Sequence, residues 1–153
     1  MNLNIDFRFF FRNLNFIFFS YIISSAILIV VAVMLYAADI QTNITLTPAR
    51  KIILIAISIL SILLSTKFYR DGLHRIIITD QLPLKLHNYQ IANLVKFGIL
   101  ELAFILMLIF FILSKESIAL VLAIVLFLYM IISKPTIKKF NKEVNISSNK
   151  LVS

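Results

Sequence analysis

The run from Phe97 to Ser114 constrains the fold more than any other part of the chain. Its eighteen residues, FGILELAFILMLIFFILS, contain one ionisable side chain, Glu101. An apolar run of this length is typical of a helix that crosses the hydrocarbon core of a bilayer. In lipid the backbone must satisfy its own hydrogen bonds, and an α-helix does so within the segment. We therefore expect a transmembrane helix here.

The composition extends this expectation to the whole chain. Of 153 residues, 61% are hydrophobic and 14% are charged, whereas a soluble domain is about half apolar and about a quarter charged. The chain has no cysteine, which excludes disulfides, thiolate metal sites and a cysteine nucleophile. His74 and His87 have no evident partners for a ligand set. We expect no metal, no cofactor and no enzymatic activity, because the spans carry too few converging polar groups.

The apolar runs predict one membrane domain, residues 1–153, with an all-α four-helix bundle. Thr47 is a suitable N-cap and Pro48 a suitable first residue for the second helix. The segment before the first span is predicted to lie at the membrane surface. The predicted spans are about 16–36, 49–69, 91–113 and 118–133, with a helical hairpin at about 70–90 and a basic tail at 134–153.

The basic residues predict the orientation of the spans. The net charge is +8, and twelve of the fifteen Lys and Arg residues fall on one side of the predicted spans. The positive-inside rule then places both termini and the hairpin in the cytoplasm. We expect a multi-pass protein of a bacterial cytoplasmic (inner) membrane that contacts anionic lipid headgroups and not nucleic acid. The predicted membrane-surface residues are Arg8, Arg12, Lys67, Arg70, Arg75, Lys134, Lys138, Lys139 and Lys142.

Glu101 is the candidate proton or ion site. A charged carboxylate in lipid is costly, so such a residue faces the bundle, pairs or takes up a proton. The functional hypothesis is reversible binding of a proton or a cation. One alternative is a pair with Lys67 or Arg70 of a neighbouring helix. Another is a structural tie to a serine stripe on the second span, formed at helical spacing by Ser58, Ser61 and Ser65.

Small and polar residues of the spans set further expectations. Ser20, Ser24 and Ser25 in the first span either permit close helix contact or bond to their own backbone. Gly98, three residues before Glu101, should let a neighbouring helix approach. Lys96 should extend to the lipid headgroups.

Two resemblances carry further implications. The segment KLHNYQIANLVKFGILELAF, within Leu84–Ser114, and SKPTIKKF after the fourth span resemble a group of uncharacterised small four-span bacterial membrane proteins. This resemblance covers about the second half of the chain and implies the same fold. A fainter one is to proteolipid rotor-ring subunits of proton-translocating ATPases, and it implies that Glu101 carries protons. Rotor helices are rich in glycine and alanine, whereas this chain has two glycines.

The sequence thus predicts a structural or accessory component of a membrane assembly, with a homo-oligomer or another membrane protein as partner. The alternative function is proton-coupled transport or ion binding through Glu101.

Overall fold

The computed structural model describes residues 3–38, 47–77 and 82–143. The described part is all-helical, with no strand, so the predicted all-α class is confirmed. The helices are α1 (Leu3–Ala37), α2 (Pro48–Ile77), α3 (Leu82–Ser114), α4 (Ser117–Ile132) and α5 (Ile137–Glu143).

Three of these helices are long and apolar enough to cross a membrane. α4 has only 16 residues, and it meets α5 at a bend of 78°. The described residues therefore contain three candidate spans, or four if α4 and α5 together form one. Such a set of apolar helices fits a multi-pass integral membrane protein. The candidate spans are Phe9–Ala37, Pro48–His74 and Pro83–Ser114.

Helix α1 is longer than the first predicted span. The helix runs without a break from Leu3 through the amino-terminal segment that was assigned to the membrane surface. The reason is local, because residues 3–37 contain neither glycine nor proline. No residue in this segment therefore lacks a backbone N–H or adds the flexibility of glycine.

Helix α2 begins where the sequence predicted. The Lys51 N–H donates to the Thr47 carbonyl at 3.2 Å, and Pro48 is the first helical residue. The helix continues through Arg70 to Ile77. Residues 78–81, within the predicted hairpin, lie outside the described part, and α3 begins at Leu82.

A two-residue connection joins α3 to α4. Lys115 adopts a left-handed conformation, with φ 55°, and its N–H donates to the Phe111 carbonyl at 2.9 Å. The Glu116 carboxylate forms an ion pair with Lys51 at the start of α2. The loop between α3 and α4 and the first turn of α2 therefore lie at the same end of the molecule.

Helix α3 is the central element of the fold, since it packs against α1, α2 and α4. One apolar core lies along the spans and includes Phe18, Phe97, Phe104 and Met107. A second core lies at the opposite end from the α3–α4 loop. Its buried residues come from α1, α2, α3 and α5, and include Phe11, Ile76, Tyr89 and Phe140.

The close contact between α2 and α3 is at Gly72. A Cβ added to Gly72 would lie 2.7 Å from the Cβ of Ala92, closer than two such atoms can approach. The expectation for Gly98 is wrong, because a Cβ placed there would meet nothing within 4 Å. Gly72, which the sequence did not single out, is the glycine that allows two helices to meet.

Candidate functional site around Glu101

The Glu101 carboxylate, on α3, is bound by two hydroxyls from α1. Ser24 Oγ donates to Oε1 at 3.2 Å and Ser25 Oγ donates to Oε2 at 2.7 Å. Each carboxyl oxygen thus has a donor of its own. Because the donors are consecutive residues of one helix, the carboxyl group ties α1 to α3 at a single point.

Aromatic contacts fix α1 beside this point. The ring of Phe97, one turn before Glu101, lies 5.3 Å from the ring of Phe18 and 6.1 Å from that of Tyr21. Ser25 is completely buried, whereas Ser24 lies on the exposed side of α1. The site therefore sits at the edge of the helix contact, with one hydroxyl inside and one outside.

The hydrogen bonds of Ser25 depend on the protonation state of Glu101. Ser25 Oγ lies 2.8 Å from the Tyr21 carbonyl as well as 2.7 Å from Glu101 Oε2. A hydroxyl has one hydrogen and cannot donate to both acceptors. If Glu101 is ionised, one of these two contacts has no hydrogen. If Glu101 carries a proton on Oε2, it can donate to Ser25, and Ser25 can donate to Tyr21.

The serine stripe of α2 does not supply the hydroxyls around Glu101. These serines are buried, yet their hydroxyls donate to carbonyls of their own helix. A serine inside a helix can always form such a bond with the preceding turn, so burial alone does not select a partner on another helix. The bonds are Ser58 to Leu54, Ser61 to Ser58 and Ser65 to Ile62, at 3.0, 2.8 and 2.9 Å.

Lys96 is buried rather than extended to the headgroups. Its side chain is only 5% exposed, and its Nζ lies 5.0 Å from the ring centroid of Tyr69 and 5.5 Å from that of Tyr129. Within the described residues no carboxylate is within ion-pair distance of it. The expectation for Lys96 is therefore wrong, because its Nζ lies against the rings of Tyr69 and Tyr129 and not at the lipid headgroups.

The same aromatic residues link further helices. Tyr129 of α4 lies 3.0 Å from the Thr66 hydroxyl of α2. The Tyr69 hydroxyl donates to Glu143 Oε2 at 2.6 Å, which attaches α5 to α2. None of these links was predicted from the sequence. Tyrosines near the ends of two spans are the available signal, although they do not reveal which polar groups they meet.

Three of the surface cavities formed by the described residues lie at the end of the molecule where α5 packs, and Glu101 lines none of these three. Their volumes are about 290, 190 and 510 Å³. The first lies between α2 and α3 beside Gly72. The second is lined by Arg70, His74 and Glu143. The third and largest lies beside Arg12 on α1.

Most of the basic residues assigned to the membrane surface are exposed. Lys139 is partly buried, and its Nζ lies 5.5 Å from the Tyr69 ring. The side chains of Arg8 and Arg75 lie outside the described part of the structure. The described residues contain no cluster of three potential metal ligands. The exposed side chains are Arg12, Lys67, Arg70, Lys134, Lys138 and Lys142.

Comparisons of the chain with protein-family models, with curated proteins and with solved structures find no match. The two resemblances noted from the sequence therefore stay predictions.

Proposed function

We propose that the protein is a structural or accessory component of a membrane assembly and not an enzyme. The observation that carries this proposal is that polar side chains within the candidate spans form hydrogen bonds to neighbouring helices. The Glu101 carboxyl group is hydrogen-bonded to Ser24 and Ser25, and the Thr66 hydroxyl is hydrogen-bonded to the Tyr129 hydroxyl. These groups hold the helices to one another, and none of them lines the three cavities described above.

The exposed face of α1 is the surface that a protein partner would cover. Large apolar side chains follow one another along this face at helical spacing. α1 is also the candidate span with the smallest buried share, 17% of its most apolar window. The partner is a second copy of this chain or another membrane protein. The stripe consists of Phe16, Ile23, Ile27, Val30 and Met34, each more than half exposed.

Cysteine cross-linking in native membranes tests this proposal, because the natural chain has no cysteine to interfere. Ile27→Cys should form a cross-linked species of defined size under mild oxidation or with a short thiol reagent. Ile59→Cys on α2, which is 55% exposed, is the matched control and should form much less. Equal cross-linking at both positions, or none at either, contradicts a partner on α1.

Proton-coupled transport or ion binding through Glu101 is a second candidate. The geometry that favours it is the position of Ser25 Oγ between the Tyr21 carbonyl and Glu101 Oε2. A proton on the carboxyl group completes both hydrogen bonds, and its loss leaves one incomplete. Such a carboxyl could alternate between two states.

Proton flux into proteoliposomes separates the two candidates. For a structural component, vesicles with the purified protein should acidify no faster than empty vesicles. Flux that is lost in Glu101→Gln and retained in Glu101→Asp would establish the second candidate and overturn the first. Equal amounts of reconstituted protein, measured by sedimentation of the vesicles, are the control.

The proposed topology has four spans in a bacterial cytoplasmic membrane, with both termini and the central hairpin in the cytoplasm. The excess of Lys and Arg at that end supports it under the positive-inside rule. The Lys51–Glu116 ion pair supports a common opposite end for the α3–α4 loop and the start of α2. A cysteine at Ser117 should react with an impermeant reagent added outside intact cells, and one at Lys138 should not. The reverse pattern would invert the topology.

A further inference from the structure

One face of α3 is left uncovered by the other helices. Although α1 and α2 both pack against α3, they make no extensive contact with each other in the described part of the chain. Large apolar side chains of α3 follow one another along this face at helical spacing, and the most exposed of them is Leu102, at 72%. The open face of α3 is defined by Ile91, Val95, Gly98, Leu102, Ile105 and Ile109.

Contacts on its two sides place the open face between α1 and α2. Ile91 and Val95 line a cavity together with Phe68 of α2. Glu101, one turn before Ile105, is hydrogen-bonded to α1. A transmembrane helix that lies on the open face would therefore contact α3 and both of its neighbours.

Gly98 forms a recess in the middle of the open face. It lies between Val95 and Leu102 along the helix, and a Cβ placed there would meet nothing within 4 Å. Because glycine has no side chain, a helix from outside the chain can approach the backbone of α3 closely at this point.

The Glu101 carboxyl group lies at the edge of the open face, one turn beyond the recess. Ser24, which bonds to Oε1, is exposed, whereas Ser25, which bonds to Oε2, is buried. Oε1 is therefore the carboxyl oxygen on the outer side of the contact between α1 and α3. The site is near the middle of both candidate spans, Phe9–Ala37 and Pro83–Ser114.

Two hydroxyls are too few donors for a charged carboxylate. A carboxylate can accept about four hydrogen bonds, and the single hydrogen of Ser25 is also within reach of the Tyr21 carbonyl. Glu101 forms no ion pair with any described residue. Ionisable residues inside membrane spans usually pair with one another. The ionised form of Glu101 is therefore complete only with a further donor, which can approach from the open face.

This chain does not supply a cation at that depth. Lys, Arg and His are absent from the interior of every predicted span. A second copy therefore brings no cation to the middle of the membrane in either orientation, and in the same orientation it brings another carboxylate. Charge complementarity selects a different protein. The intervals without a basic residue are 13–49, 52–66, 97–114 and 116–133.

We infer that a transmembrane helix of a different membrane protein packs on the open face of α3, crosses it at Gly98 and places a lysine or an arginine beside Glu101. This inference rests on the accessory role proposed above and specifies the partner at a second surface, distinct from the exposed face of α1.

Defined transmembrane peptides test this inference with the full-length protein in phosphatidylcholine vesicles. The probe is a leucine–alanine helix of about 20 residues, long enough to span the bilayer, with one lysine at its midpoint. Energy transfer between the peptide and a dye on Ser117→Cys measures binding, since the natural chain has no cysteine. The lysine peptide should bind about tenfold more tightly than a matched leucine peptide, the effect of a polar contact between helices in model peptides.

Variants of Glu101 and a second probe identify the charge pair. Glu101→Gln should lose the preference for the lysine peptide, and Glu101→Asp should keep most of it. Glu116→Gln, which removes a carboxylate paired with Lys51 at the end of the molecule, is the matched control and should bind as the wild type does. A peptide with glutamate at its midpoint should bind as the leucine peptide does. Equal binding of the lysine and glutamate peptides, or a preference that survives in Glu101→Gln, would overturn the inference.

Two further variants test the position of the partner helix. Gly98→Leu fills the recess and should lose most of the binding of the lysine peptide. Val121→Leu, on the exposed face of α4, is the matched control and should bind normally. Ser24→Ala keeps the carboxylate and frees Oε1, so it should bind the lysine peptide at least as tightly as the wild type. Unchanged binding in Gly98→Leu, or a loss in Ser24→Ala equal to that in Glu101→Gln, would overturn the inference.

Failure of this inference is distinguishable from failure of the accessory role. The cross-link at Ile27→Cys on α1 depends on none of the peptides. If that cross-link forms and the lysine peptide shows no preference for the wild type, the accessory role stands and the partner given to α3 is wrong. If the preference is found without the cross-link, the charge pair stands and the partner on α1 is wrong.

Discussion

The two helices that flank α3 are attached to it in different ways. α2 meets α3 by close backbone approach, with Gly72 against Ala92. α1 meets α3 through aromatic contacts and through the bonds from Ser24 and Ser25 to Glu101. In lipid the burial of apolar surface does not drive helices together, so close packing and interhelical hydrogen bonds must do so. In this molecule close packing attaches α2 to α3, and interhelical hydrogen bonds help to attach α1 to α3.

The difference has a consequence for function. A smaller share of α1 than of α2 is buried, 17% against 28% of the most apolar window. Helix α1 is attached through aromatic contacts and a few polar groups, and it leaves an apolar face uncovered. That combination is suited to a helix that also binds a neighbour in the membrane.

The largest expected effect is at the close contact between α2 and α3. In Gly72→Ala the new methyl group would collide with Ala92, so the helices must separate. We expect the free energy of unfolding to fall by about 1–3 kcal/mol, as for overpacked cores. Titration with SDS, followed by circular dichroism of the solubilised protein, measures it.

Two variants control this prediction. Gly98→Ala places its methyl group in open space and should leave stability unchanged or raise it by up to about 1 kcal/mol through helix propensity. Adding Ala92→Gly to Gly72→Ala should restore part of the loss, because it removes the other methyl group. A loss as large in Gly98→Ala as in Gly72→Ala would contradict the asymmetry between the two glycines.

The attachment of α1 should give the second largest effect. Ser24→Ala/Ser25→Ala removes both donors to Glu101. Interhelical hydrogen bonds in membrane proteins average about 0.6 kcal/mol each, so the pair should lower the free energy of unfolding by roughly 1 kcal/mol. Ser20→Ala is the matched control, since its hydroxyl donates only to the Phe16 carbonyl of its own helix. An equal loss in Ser20→Ala would show that the effect is not specific to Glu101.

The smallest effect should come from the link between α2 and α4. Tyr129→Phe keeps the ring beside Lys96 and removes the hydroxyl that bonds to Thr66. The expected loss is about 0.6 kcal/mol, the value of one such bond. In Tyr36→Phe stability should not change, because among the described residues the Tyr36 hydroxyl has no partner. A change of several kcal/mol in Tyr129→Phe would mean that the hydroxyl also supports the buried Lys96.

The sequence predicted the helical class and the start of α2 because these depend on local signals. Apolar runs define membrane helices, and proline after a capping threonine defines a helix start. The predicted first span begins at residue 16, whereas α1 begins at Leu3, so the helix also includes the segment that was assigned to the membrane surface. Charged side chains affect how deep a helix lies in the membrane. They do not end the helix, whereas a proline or a glycine can do so.

The site was predicted only in part, because contacts between helices depend on how each helix is rotated. Glu101 stood out as the one acid in an apolar run. Its partners did not, since Ser24 and Ser25 on α1 and the serine stripe on α2 have the same chemistry. The predictions for the exposure of Lys96 and for a helix contact at Gly98 were wrong for the same reason. The position of a residue along its helix can be read from the sequence. Its burial depends on which side chains of the neighbouring helices it contacts.

Chemical cross-linking tests most directly whether Glu101 holds α1 against α3. Tyr36 and Phe111 have stacked rings 5.1 Å apart at the other end of these helices, so cysteines at both positions should react with a short bifunctional thiol reagent. The yield in membranes should fall clearly when Glu101→Leu is added. Cysteines at Thr66 and Tyr129, on α2 and α4, should cross-link equally well with either residue at position 101. An unchanged yield between α1 and α3 in Glu101→Leu would contradict the structural role of Glu101.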